Sequence, residues 1–114
     1  MLTRFDMETI DELMTAYSDS LKRELGNNLL AVILYGSCAR NDHEIGSDID
    51  VFVLVQHLNE DVVHLIHSLS DKIDWNYDTL ISNTIRSADM FNKYKTDTLY
   101  SRIMQEGRVF YGAA

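Results

Sequence analysis

The sequence contains no proline and a single cysteine. With no proline, no low-complexity linker and no internal repeat, nothing marks a domain boundary, and residues 1–114 are expected to form one domain. The lone Cys38 cannot close an internal disulfide, and no cluster of Cys and His has the spacing of a structural zinc site, which points to a reducing cytoplasm. Basic side chains are few: 10 Lys and Arg against 18 Asp and Glu leave a formal net charge of −8. Proteins that grip DNA or RNA gain most of their affinity by neutralising phosphates with Lys and Arg, so no long nucleic acid is expected as a partner. A nucleoside triphosphate stays admissible, because it arrives with divalent metal and needs only a local site. Long apolar runs are missing too. The longest, Leu29 to Tyr35, is far below a membrane span, and Met1 to Asp6 is soon followed by further acids, so neither a transmembrane helix nor a signal peptide is expected. Also absent are the Gly-x-x-x-x-Gly-Lys-Ser/Thr loop and the Gly-x-Gly-x-x-Gly fingerprint, which removes P-loop NTPases and Rossmann enzymes.

What remains is ordinary for a folded domain, with 46% hydrophobic and 25% charged residues. Met7, Ile10, Leu13, Met14, Tyr17, Leu21 and Leu25 recur at helical spacing and Gly26 follows, predicting an amphipathic helix over 7–25. Leu29 to Tyr35 is short, continuously apolar and ends at Gly36, the pattern of a buried strand. After the polar stretch Ser37 to Ser47, the segment Asp48 to Val55 is dense in β-formers and predicts a second strand. Val62, Val63, Ile66 and Leu69 form one stripe of a helix over Glu60 to Leu69, and Trp75 to Ser82 returns to strand-like composition. Helices over Ser87 to Tyr94 and Thr98 to Gln105 and a terminal strand over Arg108 to Tyr111 complete the pattern. Alternating helix and strand predict an α/β sheet domain with flanking helices.

The chemistry concentrates at Asp48 and Asp50. Two apart on a strand, both carboxylates leave the same face roughly 7 Å apart and can converge on one cation; on a helix they would diverge. Acids opening an apolar strand need solvent, a partner or a metal. Taken alone the pair would suit a solvated strand entrance. Upstream lies the turn Tyr35-Gly36-Ser37, where glycine lets backbone approach a ligand and N–H groups with a hydroxyl can hold phosphate. Carboxylate oxygens are hard ligands suited to Mg²⁺ or Mn²⁺, the ions of phosphoryl and nucleotidyl transfer.

Gly36-Ser37, ten intervening residues and then Asp48-x-Asp50 resemble the signature of the nucleotidyltransferase superfamily that includes DNA polymerase β. Ile33 to Arg40 and Gly46 to Val51, together with Tyr77 to Ser82 and the ending Gln105 to Tyr111, look like the minimal nucleotidyltransferases (MNT), often paired with HEPN-domain proteins. The resemblance spans nearly the whole chain and implies a mixed sheet. It also implies a third carboxylate on the strand after the crossover helix, which Asp78 matches by position; Asp74 shares its parity but precedes the predicted strand. The implied mechanism is a two-metal in-line displacement with Asp48, Asp50 and Asp78 as metal-binding and catalytic residues. Gly36, Ser37 and Ser47 would bind nucleotide phosphates, and Arg40 would either contact phosphate or steady the loop. Cys38 and Asn41-Asp42 depart from the small or aromatic residue and the glycine usual in relatives, which bears on loop shape.

Other chemistry-bearing residues read more simply. Cys38 suits a small loop or core residue, His64 and His67 a solvated helix face, and Tyr94, Tyr100, Phe110 and Tyr111 core packing. The resemblance implies transfer of AMP from ATP to a hydroxyl, a tyrosine of a cognate HEPN toxin, so that the chain acts as antitoxin of a toxin–antitoxin pair. The alternative is a non-catalytic antitoxin that neutralises its partner by covering it. Modification of an antibiotic-like small molecule ranks lower, since the sequence offers no acceptor-binding domain.

Overall fold

In the computed structural model the described residues are 7–42 and 46–112; Met1 to Asp6 and the centre of the polar stretch, 43–45, lie outside them. Helix α1 (Met7–Leu25) turns the spacing read from the sequence into one buried stripe of Ile10, Leu13, Met14, Tyr17 and Leu21. Gly26, at φ +57°, ends it, because a left-handed residue breaks the helical ladder. Strand β1 (Leu29–Tyr35) follows a single 3-10 turn, Gly26–Asn28.

The sheet has the order β3-β2-β1-β4. Strand β2 (Ile49–Val55) runs antiparallel to β1, with Tyr35 opposite Asp50 and Leu34 opposite Val51. On the other side of β1 lies the antiparallel β4 (Arg108–Gly112). Strand β3 (Ile81–Ser87) runs parallel to β2, with Asp50 beside Ser82 and Phe52 beside Thr84. A parallel neighbour requires a crossover, and helix α3 (Glu60–Tyr77) supplies it. Its start is fixed by Asn59, whose side-chain oxygen accepts the Val62 N–H at 2.9 Å, with Glu60 and Asp61 in the first turn.

Alternation along β2 sorts the core between two faces. Val51, Val53 and Val55 face the buried stripes of α1 and α3, while Phe52 joins Ile33 beneath helix α5 (Thr98–Glu106). On that second face Phe52 meets Tyr100 edge-on at 5.9 Å between centroids, and Phe91 of helix α4 (Ala88–Tyr94) meets Tyr100 at 5.4 Å. Asp50 shares the parity of Phe52, so its side chain belongs to the α5 side. The opposite face contains one buried polar relay: the Tyr17 hydroxyl donates to Asn83 Oδ1 at 2.6 Å, and Asn83 Nδ2 donates to Ser70 Oγ at 3.0 Å. Burial pushes the Tyr17 hydroxyl well above its ordinary pKa, so it stays a donor.

One predicted element is corrected. The strand expected over Trp75 to Ser82 is the last turn of α3, a left-handed Asp78 at φ +54° and a two-residue link into β3, which starts at Ile81. The apolar stripe of α3 runs on through Ile73 to the partly buried Tyr77, and this packing overrides the β-forming composition of Trp75 and Tyr77. Trp75 points away from the core and is 88% exposed.

Candidate active site

The site is built where β1 ends and β2 begins. Gly36 follows β1 with φ +76° and ψ −156°, a conformation essentially confined to glycine. A Cβ there would also collide with Asp50 Oδ2 and lie 3.3 Å from Asp50 Cγ. Backbone and carboxylate are therefore in direct apposition. The Gly36 carbonyl accepts the N–H groups of Ala39 and Arg40, both at 3.1 Å, and so starts the short helix α2 (Ser37–Arg40). Asn41 ends it in the left-handed region at φ +59°. Asparagine tolerates that region, so the helix can end there without a glycine.

Cys38 is fully buried and its thiol donates to the Asp48 carbonyl at 3.8 Å, tying the loop to the start of β2. Burial pushes its pKa up to about 11, with Asp50 and Asp42 acting in the same direction, so the sulfur stays a thiol and a packing group. At the other side of the entrance the Ile49 N–H donates to the Leu80 carbonyl at 2.9 Å.

Asp48 is exposed and sits one residue ahead of β2; Asp50 is half-buried inside it. The Asp50 carboxyl is raised above its ordinary pKa by burial first and the Asp48 charge second, against the opposing pull of Arg102 and Arg40. Two hard anionic ligands, one of them partly desolvated, form a donor set that suits a divalent cation. Across the face beside them, the Tyr35 and Thr84 hydroxyls bond at 2.8 Å, passing over β2 from one neighbouring strand to the other.

The third expected carboxylate, Asp78, precedes the strand on which it was expected. Asp78 is exposed on the left-handed cap of α3, three residues before β3, so strand alternation does not govern its side chain. The β3 positions beside Asp50 and Phe52 carry Ser82 and Thr84. Asp74 is committed to the turn: its Oδ1 accepts the Thr79 hydroxyl at 2.8 Å and the Ile81 N–H at 2.9 Å. Among the described residues no group of three His, Cys, Asp or Glu side chains could hold a metal ion. Asp48 and Asp50 stand together where β2 begins, and Asp78 stands on the link that leads from α3 into β3.

Arg40 donates from Nε to Asp42 Oδ2 at 3.1 Å and from a terminal nitrogen to Glu106 Oε1 at 3.0 Å. Of the two roles open to it, these ion pairs serve the steadying of the loop. Ser37 and Ser47 are half-buried on either side of the entrance. His64 and His67 lie on the exposed face of α3, and Tyr100 is core. Sequence reasoning passed over Tyr35, Thr84 and Glu106. The last had a signal, its place at the end of a helix stopped by Gly107, but its direction depends on how α5 docks.

Residues 18–113 match the family described as Polymerase beta, Nucleotidyltransferase. A Methanocaldococcus jannaschii protein named as a protein adenylyltransferase is 28% identical over 101 residues, covering 89% of this chain and 97% of the relative. A chain in a crystal structure of a toxin–antitoxin with AMP-PNP superposes with a TM-score of 0.61 at 19% identity, over 87% of this chain and 73% of the other. A chain in the complex of a tri-AMPylated Shewanella oneidensis HEPN toxin with an MNT antitoxin gives 0.52 at 18% identity, over 90% and 72%. At those identities the two structures show a shared fold.

Proposed function

The chain belongs to the polymerase beta nucleotidyltransferase family, and from that premise we propose that it transfers AMP from ATP to a tyrosine hydroxyl of a cognate HEPN toxin, acting as its antitoxin. The observation that carries this reading is the apposition of Gly36 to the Asp50 carboxylate, with Asp48 two residues away, just ahead of the same strand. It leaves bare backbone, a hydroxyl and two hard anionic ligands at one entrance. The adenylyltransferase name of the relative and the AMPylated toxin bound by a structural neighbour support the choice of group and acceptor.

In the proposed reaction the acceptor oxygen bonds to the α-phosphorus as the bond to pyrophosphate breaks, and the proton of the acceptor hydroxyl passes to solvent. Asp48 and Asp50 hold a divalent cation, Mg²⁺ or Mn²⁺, which when bound supplies charge neutralisation of the triphosphate. Gly36 and Ser37 receive the outgoing pyrophosphate through backbone N–H groups and the hydroxyl, and Ser47 borders the same space. Arg40 acts at one remove by pinning α2 to α5 through Glu106. Burial and the Asp48 charge raise the Asp50 carboxyl above its ordinary pKa, and a bound cation would act in the opposite direction.

The test is transfer of label from α-labelled ATP, in the presence of Mg²⁺, to the product of the neighbouring gene, expected to be a HEPN protein. Label on a toxin tyrosine with wild type, and none with Asp48→Asn or Asp50→Asn, is expected; absence of transfer by wild type refutes it. One observation favours a second reading, neutralisation by binding alone: Ser82 and Thr84 stand on β3 where the family pattern implied a carboxylate. Under that reading, Asp48→Asn and Asp50→Asn protect cells as well as wild type does.

A further inference from the structure

We propose that the open edge of β3 is the docking strip for the acceptor protein, which adds an extended, tyrosine-bearing segment there as a further strand of the sheet. The inference rests on the nucleotidyltransferase reading of the site and names how its acceptor arrives. Strand β3 is outermost in the order β3-β2-β1-β4, and its seven residues pair with β2 without a register shift. It contains neither proline nor lysine, the usual protections of an exposed edge. The opposite edge, β4, is five residues long, and its register with β1 is interrupted between Val32 and Ile33.

The hydrogen-bonding parity sets which groups this edge offers. In a parallel ladder alternate residues turn both backbone groups to the same neighbour, and here the Ile49 N–H donates to the Leu80 carbonyl. Ser82, Thr84 and Arg86 therefore bond to β2, while Ile81, Asn83 and Ile85 turn outward. Two side chains keep that parity: Asp74 Oδ1 accepts the Ile81 N–H at 2.9 Å, and a terminal nitrogen of Arg86 donates to the Ile85 carbonyl at 2.8 Å. Between these caps the Ile81 carbonyl, both backbone groups of Asn83 and the Ile85 N–H have no partner among the described residues. A strand paired there places the residue opposite Ser82 on the sheet face of Asp50, because Ser82 stands beside Asp50. Tyr35 measures the reach. From β1 its hydroxyl crosses β2 and meets the Thr84 hydroxyl of β3 at 2.8 Å, a span of two strand spacings, about 9–10 Å. A tyrosine opposite Ser82 has the same two spacings to cover before it meets Asp50, and the small, exposed Ser82 leaves the path open. Asp48 and Asp78, both exposed, precede β2 and β3 in a chain of net charge −8, so the docking segment carries Lys or Arg beside its tyrosine.

In the experiment the product of the neighbouring gene is first labelled from ATP with Mg²⁺, and the labelled tyrosine is then replaced by phenylalanine so that the complex stays unreacted. Amide exchange of the whole chain is followed by NMR, alone and with this acceptor variant. Alone, the Asn83 and Ile85 amides should exchange at least about 10-fold faster than those of Ser82, Thr84 and Arg86; in the complex both should slow by at least about 10-fold. Ile85→Pro deletes an outward N–H, which an edge strand tolerates, and Ile85→Ala trims the same side chain but keeps the N–H. Relative to Ile85→Ala, Ile85→Pro should raise KM for the acceptor about 2- to 10-fold and leave calorimetric binding of ATP with Mg²⁺ within about 2-fold. Thermal unfolding checks that each variant is folded; should Ile85→Pro not fold, the exchange measured on wild type decides. Asn83 and Ile85 amides that stay unprotected, in a complex whose unaltered acceptor is labelled, overturn the docking strip and leave the functional reading standing. Protection already present in the chain alone and rising with its concentration also overturns it, since a second copy then occupies the edge. If wild type labels no acceptor, both fall together.

Discussion

Replacing Gly36 with alanine perturbs the site at its closest approach, and two separable terms set the magnitude. The backbone term comes from φ +76° and ψ −156°, where a residue with a Cβ is strained by roughly 1–3 kcal/mol. The packing term comes from the collision of the new methyl with Asp50 Oδ2, with Cγ and Cβ of Asp50 at 3.3 and 3.4 Å. Overpacking of this kind costs about 1–3 kcal/mol. Their sum, about 2–6 kcal/mol, is a large share of the stability of a domain this size. Urea unfolding of Gly36→Ala should therefore show a much lower midpoint with unchanged slope. Adding Asp50→Ala removes the collision but keeps the strained dihedrals, so the double variant should regain about 1–3 kcal/mol relative to additivity. Gly26→Ala is the control: φ is +57° but nothing lies within 4 Å, so only the left-handed penalty of about 1–2 kcal/mol applies. A Gly36→Ala midpoint equal to that of Gly26→Ala, or strict additivity with Asp50→Ala, would refute the reasoning.

Further expectations concern charge, the buried relay and the lone tryptophan. Asp50 has a folded-state pKa raised above the unfolded value, so the folded state holds its proton to higher pH. Its ionisation then opposes folding above that raised pKa and has no effect below the ordinary value of about 3.9. Without metal, Asp50→Asn should melt higher than wild type at pH 7, with the gain shrinking as pH falls to about 4; a gain that grows on acidification contradicts the sign. Tyr17→Phe leaves Asn83 Oδ1 without its 2.6 Å donor and should lower stability by about 1–3 kcal/mol in denaturant titration. Trp75, the one tryptophan, is 88% exposed, so its emission should be red-shifted and readily quenched by iodide, and Trp75→Ala should change stability by less than about 0.5 kcal/mol. A blue-shifted, protected indole would restore the strand expected over 75–82.

The parts of the fold visible in the sequence are those where one periodicity dominates. The stripe from Met7 to Leu25 and the unbroken apolar run of β1 have no competing interpretation, and the same holds for the β-formers from Ile49 to Val55. The segment around Asp78 failed because composition and packing disagree. Trp75 and Tyr77 favour a strand, but Ile66, Leu69, Ile73 and Tyr77 continue a helical stripe against the core, and Asp74 supplies the bonds that turn the chain into β3. Asp48, Asp50 and Gly36 were legible because they lie on or beside elements whose period was clear. Glu106 was not, because its relation to the loop is tertiary: it depends on Gly107 seating α5 against β1. The bridge from Tyr35 to Thr84 needed the strand order, which places their two strands on either side of β2.

Cys38 has a practical consequence for the motions of this entrance. A thiol held away from water, with its pKa pushed up to about 11 and its S–H donating to the Asp48 carbonyl, cannot meet an alkylating reagent while α2 remains seated. Every alkylation event must then follow an opening of the loop, and there is no second cysteine to confuse the signal. The labelling rate in the presence and absence of nucleotide would clock how often α2 lifts from the start of β2, using a sensor the chain already carries.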